Sequence, residues 1–206
     1  MARPRSFDND QVLAAVERQF RHDGYAGTSL DDIAAVTRLG RGSLYAAFGD
    51  KHELFLRALG RYCERKAAEA ESKLTGPGEN AIARMWEYLQ GNLRFVFDDP
   101  DRLGCMAGRF AVEADRSDAR AAELIAECFA RQRAALRDCL MAAQQYGALE
   151  AEADGDELAA MLLTVVRGID VMAGSGIDER LAEAAFRHAF TALPLAHRGK
   201  QELERL

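Results

Sequence analysis

Apolar residues recur at three- and four-residue spacings along almost the whole chain, and no stretch alternates strongly with period two. That periodicity predicts helices throughout. The first opens at Asp8, with Gln11 three residues on as its capping partner and Phe7 and Val12 flanking them as a hydrophobic staple. Val12, Val16 and Phe20 fall on one stripe. Gly24 is placed to end the helix with a positive φ, Tyr25 folding back towards Phe20. A second helix opens at Ser29, with Asp32 at the capping-box position and Leu30, Ile33 and Ala34 as its buried face. Residues 37–40 make a turn. A third runs over 41–48 with Leu44 and Phe48 inward, and Gly49 breaks it. Asp50 and Glu53 open a fourth, whose stripe is Leu54, Phe55, Ala58, Leu59 and Tyr62 and which continues to about Leu74.

Beyond the Thr75-Gly76-Pro77-Gly78 loop the same spacing predicts five more helices. They cover about 79–97 (Ile82, Trp86, Leu89, Leu93, Val96), 105–114, 118–146, 154–173 and 178–195. Asp98-Asp99-Pro100-Asp101, Gly147 and Gly174-Ser175-Gly176 separate them, and Asp154, Glu157 and Asp178 cap the last two. The tail after Pro194 reads as polar and frayed. The expected fold is all-α, with about nine helices.

Composition refines this picture. At 206 residues and 49% hydrophobic the chain can bury a sizeable core. No segment approaches the roughly 20 apolar residues of a membrane helix, and Met1 to Arg5 leads into no apolar run, so a cytoplasmic protein is expected. The formal charge of −6 is unevenly spread. Residues 1–51 hold seven Lys/Arg and seven Asp/Glu; the other 20 basic and 26 acidic residues carry the whole excess. Four scattered cysteines (Cys63, Cys105, Cys128, Cys139) form no CxxC pair, so no zinc site and no other metal or cofactor is expected.

The layout of residues 27–54, two short helices around a tight turn followed by a long helix, is that of a helix-turn-helix that lays its second helix in a DNA major groove. The segment Gly24-Tyr25-Ala26-Gly27-Thr28-Ser29-Leu30-Asp31-Asp32-Ile33-Ala34, followed by Gly42-Ser43-Leu44-Tyr45-Ala46-Ala47-Phe48-Gly49-Asp50-Lys51-His52-Glu53-Leu54-Phe55, resembles the TetR/AcrR family of bacterial transcriptional repressors. The match covers about residues 7–60. The resemblance implies a helix-turn-helix domain over 1–52 and a helical ligand-binding and dimerisation domain over 53–206. It also implies a homodimer on a palindromic operator. Two departures are Arg38, where the family often has Gly in the turn, and Gly40, where it often has Ser or Thr as the helix cap.

Chemistry assigns roles within this segment. Arg41, at the first turn of the recognition helix, suits guanine O6 and N7. Gly42, Ser43 and Ala46 belong to the entering segment, and Ala46 suits a thymine methyl. Tyr45 is placed for a phosphate, as the family's tyrosine is. Thr28 and the first amides of the second helix suit another phosphate, as do Lys51 and Arg38. Arg3 and Arg5 are placed as an arm for the minor groove.

The second region holds no Ser/His/acid, Cys/His or paired-carboxylate arrangement with catalytic spacing, so no enzyme is expected. The eighth and ninth helices (Leu158, Met161, Leu162, Val165, Val166, Ile169, Met172; Leu181, Ala185, Phe186, Ala189, Phe190, Leu193) are apolar on enough faces to form a homodimer contact or to complete the monomer core. Arg167 and Asp170 are spaced for an i, i+3 pair. Trp86, Tyr88, Phe95, Cys105, Met106, Phe110 and Phe129 form either a pocket or plain core. Family resemblance favours a pocket for a small apolar or aromatic inducer. Cys105 follows Arg102 at a helix start, where a thiol's pKa falls. It is a candidate electrophile or oxidant sensor, the alternative trigger to the inducer. A third reading, an enzyme or interaction module that merely carries the motif, has no residues to support it.

Overall fold

The structure, a computed structural model, describes residues 7–113 and 118–206. Among the described residues there are ten α-helices, and the only strand-like feature is a bridge between Leu149 and Leu195. The helices are α1 (Asn9–Gly27), α2 (Leu30–Thr37), α3 (Arg41–Phe48), α4 (Lys51–Leu74), α5 (Ala81–Phe97), α6 (Met106–Glu113), α7 (Ala119–Gln145), α8 (Gly155–Gly174), α9 (Glu179–Thr191) and α10 (His197–Leu203), with a 3-10 turn over Gly78–Asn80.

Local capping chemistry sets most of these boundaries. Ser29 and Asp32 form the reciprocal box at α2. The Asp32 amide donates to Ser29 Oγ at 3.2 Å and the Ser29 amide to Asp32 Oδ2 at 2.8 Å. That bonding, led by the Ser29 hydroxyl, holds the Asp32 carboxyl below its ordinary range. Asp50 accepts the Glu53 amide at 2.9 Å, Asp154 the amides of Asp156 and Glu157, and Asp178 that of Arg180. At α1 the carboxylate of Asp8 takes the Asp10 amide at 2.8 Å. Gly24 adopts φ 74°, ψ 175°, a kink after which helical hydrogen bonding continues to Gly27.

The tail corrects the expectation of a frayed end. α9 stops at Thr191, and α10 follows after a turn in which the Glu150 amide donates to Pro194 O (2.9 Å) and the Ala196 amide to Ala148 O (3.1 Å). Arg198 donates to Tyr146 O at 2.9 Å and lies over that ring. The apolar spacing is too sparse here to mark a helix. What anchors it is close backbone approach: Gly199 is buried, and a Cβ there would sit 2.1 Å from Ala148 O. Gly199→Ala is therefore expected to undock α10 at a cost of about 1–3 kcal/mol. Limited proteolysis checks this; a variant tail as resistant as the wild type would contradict it.

Chain contacts divide the molecule into two compact units. The first comprises Met1–Glu64 and Met106–Ile125, the second Arg65–Cys105 and Ala126–Leu206. α4 and α7 each contribute to both. In the first unit Val12, Val16, Phe20, Ile33, Leu44, Phe48, Leu54 and Leu59 form the core. Phe55 sits among the rings of Phe20 (5.2 Å), Tyr25 (5.0 Å) and Phe110 (4.8 Å). α6 is tied to α1 by Arg109, which donates to the carbonyls of Arg21 (2.5 Å) and His22 (3.3 Å). The second unit packs α5, α8 and α9 around Leu74, Ile82, Met85, Leu89, Leu140, Leu162, Val166 and Phe186. Among the described residues, no helix is long and apolar enough to cross a membrane.

Candidate nucleic-acid interface

Two inward anchors orient α3. Leu44 and Phe48, one turn apart, are 1% and 2% exposed in the core of the first unit. The same register turns Arg41, Gly42, Ser43, Tyr45 and Ala46 outward, all exposed. Tyr45 is 64% exposed, which excludes a core role for it. An eight-residue rod with one buried stripe and a small, polar outer face matches what a major groove admits.

The turn before this rod is held by an unusual residue. Arg38 adopts φ 55°, ψ 29°, the left-handed conformation that most residues avoid. Arg38 is exposed, as a phosphate contact requires. Arg38→Gly is expected to raise stability by about 1 kcal/mol. A thermal midpoint that stays level or falls would contradict that. Gly40 caps α3 with no side-chain bond, the weaker cap expected of glycine.

Arg41 is not a lone charge. Its Nε donates to Oδ1 of Asp31 and its Nη2 to Oδ2, a two-point fork from the first turn of α2. This bonding, with the attraction of the carboxylate, raises the guanidinium's proton affinity further. Asp31 was missed from sequence because it stands ten residues away on another helix.

Two residues expected at phosphates take structural roles. Thr28 is 1% exposed, and its hydroxyl donates to Gly24 O at 2.7 Å. Gly24 lies in the last turn of α1, where carbonyls lack an intrahelical donor, and this buried bond turns the Thr28 side chain inward, out of the phosphate set. Lys51 is half-buried; its Nζ donates to Tyr25 O and Thr28 O, each at 2.9 Å, and lies 4.2 Å from the centre of the Tyr25 ring. Burial pushes the Tyr25 phenol up, with Asp50 and Asp118 adding to it. Lys51 thus clamps the end of α1 to the start of α2. Arg3 and Arg5 lie outside the described residues.

The seven residues named for a pocket fall into separate places. Met106 and Phe110 belong to the first unit, and Phe110 packs on Phe55. In the second, Trp86 packs on Phe186 (4.9 Å) and Phe190 (5.1 Å), Phe95 lies under Lys66 Nζ (4.2 Å), and Phe129 is half-buried. Cys105 is 5% exposed and directly precedes α6. Tyr88 is 3% exposed; its hydroxyl donates to Gln132 Oε1 at 3.3 Å, and burial pushes its pKa up to about 12. That bond is part of a buried polar cluster. Asn92 Nδ2 donates to Tyr88 O (2.9 Å), Arg167 Nη2 to Asn92 Oδ1 (3.1 Å), and Arg167 pairs with Asp170 at 3.0 Å, the expected i, i+3 pair. Asn92 and Gln132 were missed. The signal was present, since each interrupts an apolar helical stripe, between Leu89 and Val96 and between Cys128 and Leu136.

On α8 and α9 the stripes divide. Leu162, Val166, Ile169, Phe186 and Phe190 complete the core, while Val171 (64%), Met172 (49%) and Leu181 (63%) remain exposed.

Comparison with known proteins accords with this geometry. The family model for bacterial regulatory proteins of the tetR family matches residues 12–58, and that for the tetracyclin repressor-like C-terminal domain matches 81–189. The HTH-type transcriptional repressor ComR of Escherichia coli (strain K12) is 27% identical over 184 residues, covering 89% of this chain and 88% of ComR. The uncharacterized HTH-type regulator YezE of Bacillus subtilis (strain 168) is 33% identical over 159 residues, covering 74% of this chain and 78% of YezE. A cysteine-substituted CifR solved with 26-bp operator DNA superposes with a TM-score of 0.80 at 26% identity, over 93% of this chain and 100% of that one. The chain belongs to the TetR family of bacterial regulatory proteins and is a DNA-binding transcriptional repressor, not an enzyme.

Proposed function

We propose that the protein is a cytoplasmic homodimer that holds a palindromic operator through α3 of each subunit and is released from it by a small molecule. The observation that carries this is the exposed face of α3, with Arg41, Ser43, Tyr45 and Ala46 outward and Leu44 and Phe48 inward. In this reading Arg41 meets a base edge, Ala46 a thymine methyl, and Tyr45 and Arg38 phosphates. The CifR variant bound to operator DNA supports the same use of the shared fold.

The homodimer reading rests on Val171, Met172 and Leu181. These large apolar side chains stay exposed at the end of α8 and on α9, where a second copy would cover them. Two half-sites about one DNA turn apart also call for a two-fold pair. The effector is an apolar or aromatic small molecule held in the 53–206 domain, supported by family membership and by the interior aromatic residues. It releases DNA by preferring the conformation whose recognition helices no longer match the half-sites; equal affinity for both conformations would have no effect.

A second trigger has one observation in its favour. Cys105 immediately precedes α6, after two residues of positive φ, Arg102 (47°) and Gly104 (64°). Its burial means that a reagent reaches the thiol only when this segment opens. Gel shifts with DNA from upstream of the protein's own gene test both triggers. A retarded complex, of dimer mass and stable to oxidant, supports the small-molecule reading. Loss of the complex on oxidation, absent in Cys105→Ser, supports the thiol. Failure to retard any such duplex would overturn the function itself.

A further inference from the structure

We infer that Asp31 is a positioning residue for base recognition: it grips the Nε/Nη2 edge of the Arg41 guanidinium so that the adjoining Nη1/Nη2 edge faces a guanine. The inference rests on the proposed operator reading and names a determinant of its specificity.

The geometry is a fork. Asp31 engages Arg41 through Nε and Nη2, leaving both Nη1 hydrogens and the outer hydrogen of Nη2. That remaining Nη1/Nη2 edge is the pair of donors that matches guanine O6 and N7. The two side chains are each 64% exposed, so the pair stands at the surface beside Ser43 and Tyr45. A lone arginine samples many rotamers and loses that freedom on meeting a base. One already held in plane loses less.

Asp31 makes no capping bond to α2 and offers that helix only the first-turn negative charge that suits its N-terminus. The cap of α2 is made by Ser29 and Asp32. A carboxylate in this place also repels every phosphate, whatever the sequence. The arrangement therefore weakens binding to duplex in general and favours the duplex that supplies a guanine at one position, which is how discrimination is built from an attraction and a repulsion together.

The test uses the full-length protein and a pool of duplexes randomised across the operator, with sequencing of the bound fraction. Wild type, Arg41→Ala, Asp31→Asn and Asp31→Glu are compared, with thermal unfolding of each. Arg41→Ala is expected to lose preference at one base pair per half-site. Asp31→Asn is expected to lose roughly tenfold of the preference at that same pair while binding random duplex more tightly, and Asp31→Glu to recover part of the preference. Full preference kept by Asp31→Asn would overturn the inference. So would a uniform loss at all positions with a lowered melting temperature, the mark of a merely structural residue. A gain in preference would show that Asp31 holds Arg41 back, and would overturn it too. Wild type selecting no sequence would remove the operator reading first, a result visible before any variant is compared.

Discussion

Phe55→Ala is expected to destabilise the DNA-binding unit by about 3–5 kcal/mol. Phe55 is 3% exposed and touches rings from three directions: Phe20 on α1, Tyr25 after the kink of α1, and Phe110 on α6. Truncation removes the transfer free energy of the ring and leaves a cavity that three rigid helices cannot close. It also removes three edge or tilted ring contacts, each worth roughly 0.5–1.5 kcal/mol beyond the buried area. Because the buried side chains of α3, Leu44 and Phe48, pack in this same core, operator binding is expected to fall with stability. Denaturant unfolding followed with the DNA titration checks the link. A loss under about 1 kcal/mol would show that the ring cluster is not what holds α1, α4 and α6 together.

Lys51→Met is expected to cost about 2–3 kcal/mol, the value of one or two charged hydrogen bonds lost at a half-buried site. Methionine keeps the length and the apolar stem but leaves Tyr25 O and Thr28 O without the ammonium. These carbonyls sit at the end of α1 and just before α2, so the helix-turn-helix loses its tie to α4. The informative measurement is the salt dependence of DNA binding. If Lys51 acts as a clamp, affinity drops while the slope of log K against log salt is preserved. If its ammonium neutralises a phosphate, the slope falls by about 0.9 for each such contact. A lowered slope with unchanged stability would restore Lys51 to the phosphate set.

These two residues show where sequence reading works and where it stops. Phe55 was legible as core because Leu54, Phe55, Ala58, Leu59 and Tyr62 repeat at helical spacing, and all five are buried. The ends of α2, α4, α8 and α9 were legible because their caps are local: Ser29 with Asp32, Asp50 with Glu53, Asp154 with Glu157, Asp178 with Arg180. The outer face of α3 was legible from Leu44 and Phe48 alone. Periodicity says which way a side chain points, not which distant group waits there. Thr28 turned inward, where its hydroxyl donates to the Gly24 carbonyl in the last turn of α1. Lys51 found carbonyls 23 and 26 residues upstream, and Arg41 found Asp31 on another helix. α10 was hidden for the same reason, since its anchor is the close approach of Gly199 to Ala148. For the aromatic residues of the second domain, helical spacing marks stripes without naming what each stripe faces: Trp86 meets Phe186 and Phe190, and Phe95 lies under Lys66.

The account stands on α3 as an exposed rod that enters the groove, and Ser43→Glu tests it most directly. Ser43 is exposed at the third position of α3, where a carboxylate suits the helix N-terminus, so folding should be unharmed or slightly improved. In the groove the same carboxylate faces phosphates on both sides, a like-charge cost of several kcal/mol, or a loss of roughly a hundredfold or more in operator affinity. The account predicts a variant that melts at or above the wild-type temperature and no longer retards its operator. A variant that melts normally and binds as tightly as wild type would contradict it.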